Sequence, residues 1–199
     1  MPRAFTETEK QHLQAKLKNE GYALFSRYGL KKTTVEEIAR AAGIAKGSFY
    51  IFFSNKEELF IEIMEDLEQE LRSSLLREIK TEHLEPKEQF KLFFSHLLHF
   101  FDNHEIAKAF IDRETIDHLL RTVPEHRIKQ HIDGDEEFYR GMIEEWQQAG
   151  GFIQEDPAVL AGLFRSLFFI AIHKQEIGEE LYPHIAAVLV DIMAKGCFE

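Results

Sequence analysis

The chain has 199 residues, 44% of them hydrophobic, enough for a substantial core in one large domain or two small ones. No run of 18 or more apolar residues occurs, and the opening MPRAFTETEKQ lacks an apolar signal segment, so neither a membrane span nor secretion is expected. The net charge of −11 argues against a nucleic-acid partner only until it is located. Residues 1–55 hold nine Lys and Arg against five Asp and Glu, a net of +4, which leaves −15 on the rest. A basic head suits a polyanion and an acidic body does not, although chance clustering gives the same count. The single cysteine, Cys197, excludes an internal disulfide and suits a reducing cytoplasm. No Cys or His cluster has zinc spacing, and no metal site or cofactor is expected.

The elements read as helices throughout, so the expected fold is all-α. A first helix spans roughly 6–28, with Leu13, Leu17, Ala23, Leu24 and Phe25 at helical spacing and Gly29 as its stop. Thr34 and Glu37 have capping-box spacing and open a second helix through Ala41. Gly43 ends it, and a short third helix runs roughly 46–52. Asn55, three residues before Glu58, caps a long fourth helix to about Lys80, whose Leu59, Ile63, Leu67 and Leu71 share one face. Pro86 starts a fifth, Phe-rich helix, and a shorter one covers 104–111. Pro124 precedes a charged stretch that reaches Trp146 and closes at Gly150 and Gly151. Asp156-Pro157 opens a helix over 157–174, and Gly178 separates it from a last helix over 179–195. The expected domains are 1–55 and 56–199.

Residues 33–53, TTVEEIARAAGIAKGSFYIFF, have helix-turn-helix spacing. Ala39 lies where the helices cross, and Gly43 supplies the positive φ of the turn. Ile38, Ala42, Ile44, Phe49 and Phe53 face inward, which leaves Lys46, Gly47, Ser48 and Tyr50 outward at the start of the second helix, the part that enters a major groove. An ordinary helical hairpin fits the spacing almost as well.

The wider stretch GLKKTTVEEIARAAGIAKGSFYIFFSNKEELF, residues 29–60, resembles the DNA-binding domain of TetR-type transcriptional repressors. The resemblance is carried by Gly29, Thr33-Thr34, Ile38-Ala39, Ala42-Gly43, Lys46 to Tyr50, Phe53 and Asn55 to Leu59. It implies that Thr33 and Thr34 meet phosphate at the start of the second helix. It implies that Lys46, Gly47 and Ser48 approach base edges, with Lys46 donating to guanine. Tyr50 and Lys56 are then phosphate contacts. Phe52 stands where the family often has His, so it either touches a thymine methyl or packs sideways. The rest of the chain matches only the family's plan of a helical, ligand-responsive, dimerising body.

In that body, the helix over 157–174 is apolar on nearly every side, and the last helix carries a stripe of its own. Leu160, Phe164, Leu167 and Phe168 with Leu181, Ile185, Val188, Leu189 and Ile192 are the expected seam of a four-helix homodimer interface; a monomer core is the other reading. For a small apolar or amphipathic effector, Phe94, Leu97, Leu98, Phe101 and Phe110 are candidate walls and His99 a candidate anchor, though aromatics at this spacing also serve as plain packing. The function expected is a ligand-responsive DNA-binding repressor on a palindromic operator. A helical DNA-binding protein without an effector, of nucleoid or scaffold type, is the alternative. An enzyme is not expected, because no nucleophile elbow, phosphate loop or metal motif occurs.

Overall fold

The computed structural model describes residues 5–82 and 84–198. Arg3, one of the cations counted in the head, lies outside them. The described residues form eleven helices and no strand, with an isolated antiparallel bridge between Phe152 and Phe198. The helices are α1 (Glu7–Lys32), α2 (Val35–Ala41), α3 (Lys46–Phe49), α4 (Lys56–Glu82), α5 (Pro86–Asn103), α6 (Glu105–Phe110), α7 (Arg113–Thr122), α8 (Glu125–Ala149), α9 (Pro157–Ile172), α10 (Lys174–Ile177) and α11 (Tyr182–Cys197). The all-α expectation holds.

Local chemistry accounts for the boundaries. Thr6 and Glu9 form a reciprocal capping box at α1, and Thr34 and Glu37 form another at α2. At α4 the Glu58 amide donates to Asn55 Oδ1 at 2.7 Å, and at α9 the Ala158 amide donates to Asp156 Oδ1 at 2.8 Å. Gly29 breaks α1 with φ of 77°, as expected, yet one more helical turn follows to Lys32. The third helix is shorter than expected: Phe49 ends it, and turns carry the chain to Phe53. Between the helix expected over 104–111 and Pro124 a further helix forms, α7, where Asp112 caps the Thr115 amide. The helix expected over 157–174 breaks at His173, and α10 follows.

Contacts divide the chain into a head up to Glu68 and a body from Gln69, with the division inside α4 rather than at residue 55. The first turns of α4 belong to the head because they pack on α1. There Gly21 lets the helices close together: a Cβ at this position would sit 2.9 Å from Leu59 Cδ2 and 3.1 Å from Ile63 Cδ1. Leu17, Phe25, Ile38, Ala39, Phe49, Phe53, Leu59 and Phe60 complete the head's core. In the body, α8 lies along α9 and α5 along α11. Their centre is an aromatic cluster of Phe90, Phe94, Tyr139, Trp146 and Phe164. Phe152 and Phe198 close its end, and the Ile153 amide donates to the Cys197 carbonyl.

Candidate nucleic-acid interface and effector pocket

The helix-turn-helix is built as its sequence requires. Gly43 takes φ of 73° and lets the Ile44 amide reach the Ala39 carbonyl at 2.9 Å. Ile38, Ala39, Ala42, Phe49 and Phe53 are buried, so α3 is held against α2 by its inner face. Lys46, Gly47 and Tyr50 are exposed and Ser48 is half-buried. A side chain at Gly47 would meet nothing within 4 Å. Glycine costs a helix about 1 kcal/mol against alanine. The head's own packing does not require that cost. Ile51 is 58% exposed beside Tyr50, a large apolar side chain on the same turn that sequence reading did not single out.

Three expected DNA contacts sit differently. Thr33 is buried, and its hydroxyl donates to the Gly29 carbonyl at 2.9 Å, so its side chain does not face a phosphate. Thr34 is exposed, but its hydroxyl serves the α2 cap by exchanging hydrogen bonds with Glu37. Those bonds hold the Glu37 carboxyl below its ordinary range. Lys56 points back into the head, where its ammonium donates to the Leu30 and Thr33 carbonyls at 2.7 Å each. Phe52 packs sideways, its ring 6.4 Å from that of Phe5. The Thr34 cap is marked by its spacing to Glu37, but the links of Lys56 and Phe52 join residues distant in the sequence and only the tertiary fold shows them.

The head's positive charge is partly spent inside it. Lys18 lies between Glu62 at 3.1 Å and Asp66 at 2.5 Å on α4. Burial pulls its pKa down, but the two carboxylates outweigh that and the net shift is upward. Lys10 pairs with Glu7 and Arg40 with Glu36. Lys32 and Lys46 remain on the exposed surface of the head.

The expected effector residues lie in ring packing or at the surface. Phe94, Leu97, Leu98 and Phe101 are buried, and Phe94 and Phe101 lie against Phe164 and Phe168 respectively. His99 is exposed and bonds Asn103, while Phe110 packs edge-on to His131. A pocket of about 340 Å³ opens in the body where α6, α7, α9 and α10 meet. Its apolar part is Ala109, Ile111 and Ile172, and its charged part includes Lys108, Arg113, Glu105 and Glu179. Arg113 and Glu176 form an ion pair at 2.7 Å beside it. These residues lie on short elements whose junctions the sequence did not mark.

The expected seam also divides. Leu160, Phe164 and Leu167 are buried in the protomer's own core and Phe168 packs on Phe101. The outward apolar side chains of α9 are Val159, Leu163 and Phe169, and those beside α11 are Leu181, Val188 and Ile192. Ile185 and Leu189 are half-buried.

Residues 19–63 match the family described as "Bacterial regulatory proteins, tetR family". The chain is 28% identical over 161 residues to the uncharacterized HTH-type transcriptional regulator YhgD of Bacillus subtilis, covering 76% of this chain and 78% of that one. It is 35% identical over 79 residues to the probable acrEF/envCD operon repressor of Escherichia coli, covering 40% of this chain and 33% of that one. A TetR-family regulator from Pectobacterium atrosepticum superposes with a TM-score of 0.76 at 18% identity, over 98% of both chains. The Thermus thermophilus regulator FadR, solved with lauroyl-CoA, superposes with a TM-score of 0.70 at 16% identity, over 91% of this chain and 92% of that one. At these identities the two structures speak for the fold alone. The head supplies the rest: through its helix-turn-helix geometry and its family match, residues 19–63 form a DNA-binding domain of the TetR type.

Proposed function

We propose that the protein is a homodimeric repressor that binds a palindromic operator in the cytoplasm and is released by a small amphipathic molecule. The observation that carries this reading is α3, a short helix on a buried inner face that offers Lys46, Gly47 and Tyr50 to the outside. Lys46 is assigned to base edges, Gly47 and Ser48 to close approach, and Tyr50 to a phosphate. The head acts as the DNA-binding unit and the body as the unit for effector and dimer. Val159, Leu163 and Phe169 with Leu181, Val188 and Ile192 form the seam, a face too apolar to be left in water. A two-fold dimer then reads half-sites about 34–36 Å apart or a multiple of it.

The effector is assigned to the pocket at α6, α7, α9 and α10, whose apolar floor and charged rim suit an amphipathic molecule. The lauroyl-CoA bound by the Thermus thermophilus relative is a ligand of that class. A ligand displaces DNA only through its differential affinity for the free and bound forms, typically 1–3 kcal/mol.

Selection of duplexes from a random pool tests the reading directly. The expected result is an enriched palindrome whose affinity falls steeply with salt. Lys46→Ala should cost about 1–3 kcal/mol on that palindrome and relax preference at one base pair. Equal losses on selected and random duplex would remove the base-reading role. For the pocket, Ile172→Trp should fill the apolar floor and abolish thermal stabilisation by acyl-chain compounds that stabilise the wild type. Unchanged stabilisation places the effector elsewhere.

A further inference from the structure

We infer that Lys56 is a positioning residue for DNA recognition and not a phosphate contact, an assignment that rests on the DNA-binding reading above. Its ammonium donates to the carbonyls of Leu30 and Thr33 at 2.7 Å and reaches that of Lys31 at 3.3 Å. An ammonium has three N–H donors, and three acceptors surround this one. Its side chain is only 18% exposed.

The placement has an electrostatic logic. Lys56 is the first residue of α4, where the positive end of its own helix dipole disfavours a cation. The carbonyls it meets close the last turn of α1, where a cation is favoured and where orphan acceptors need donors. The residue therefore ties the start of α4 to the end of α1 and to Thr33, the residue just before the α2 cap Thr34. These ties fix the corner from which α2 and α3 leave the head's core. Loosening the corner tilts the pair and carries Lys46 away from its base edge, while the sequence-independent attraction of the head for phosphates remains.

The first experiment needs no DNA. Wild-type protein is treated briefly with an amine-acylating ester, and labelling at each lysine is read by mass spectrometry. Lys56 should react roughly tenfold more slowly than the exposed Lys46, because its hydrogen bonds must break first. Equal rates overturn the inference, and this arm stands even if no operator is found. The second experiment uses Lys56→Met, which keeps the stem and removes the donors, on the selected palindrome and on random duplex. At a temperature where circular dichroism shows a folded variant, palindrome affinity should fall roughly tenfold, of the order of one lost base-pair contact. Random-duplex affinity and the salt slope should not change. A slope shallower by about 0.9 identifies a phosphate contact and overturns the inference. A variant that is less heat-stable but binds the palindrome as the wild type does overturns it too, since Lys56 is then purely structural. If Lys56→Met does not fold, Lys56→Gln takes its place with the same outcomes, because a neutral amide also removes the charge and has only two N–H donors for three carbonyls.

Discussion

Phe164 and Phe169 lie five residues apart on α9 and separate the core from the proposed seam. Phe164 is 0% exposed, with the rings of Phe94, Phe90, Tyr139 and Trp146 at 5.0, 5.2, 6.3 and 6.4 Å. Phe→Ala at such a site costs about 3–5 kcal/mol, towards the upper end where rigid helices keep the void open. For a chain of this size each kcal/mol moves the Tm by about 2–4 °C, so Phe164→Ala should lower it by roughly 6–20 °C. Phe169 is 61% exposed, and Phe169→Glu should change protomer stability by no more than about 0.5 kcal/mol. In a two-fold dimer the same change removes two buried rings, each worth about 1.5–3 kcal/mol. The dimer should therefore weaken by about two to four orders of magnitude. Differential scanning calorimetry reads the first effect and sedimentation velocity at micromolar protein the second. The reasoning is refuted if Phe164→Ala yields monomers of unchanged Tm, or if Phe169→Glu remains dimeric.

Gly21→Val should destabilise the head by about 1–3 kcal/mol, read by far-ultraviolet circular dichroism, because a Cβ there already presses on Leu59 and Ile63. Asn55→Ala should cost about 0.5–2 kcal/mol by the same measurement, through the lost cap on the Glu58 amide. Burial holds His104 below its ordinary value of 6.5 against a smaller opposing pull from Glu105, so the unfolded chain binds more protons there. Stability should thus be fully present above about pH 6.5 and decline as pH falls from there through the depressed folded value. His104→Phe should flatten that part of the urea-midpoint profile, and an unchanged profile would assign the decline to other groups.

The helix-turn-helix was legible because its signals are local. A cap box at Thr34, a glycine with positive φ at Gly43 and the inward series Ile38 to Phe53 each act over a few residues. The outward face of α9 was not, because α9 is apolar on nearly all sides. Leu160 and Val159, or Phe168 and Phe169, are equal in kind, and only the neighbours α5 and α8 decide which faces inward. The same limit applied to Lys56 and Thr33. A polar side chain in a basic head reads as an external contact until the tertiary fold brings orphan carbonyls to it. The phenylalanines of α5 read equally as cavity wall or packing, and the fold uses Phe94 and Phe101 as packing.

The lone tryptophan gives the body a spectroscopic label that the head lacks. Trp146 is buried, its indole N–H donates to Gln89 at 3.2 Å, and the rings of Phe90, Phe152 and Phe198 stand within 6 Å. Emission excited at the long-wavelength edge of indole absorption therefore follows the melting of the body alone, while circular dichroism follows the helices of both units. The two curves coincide only if head and body unfold as one cooperative unit. A fluorescence transition displaced from the helical one would measure how much of the body's stability reaches α2 and α3.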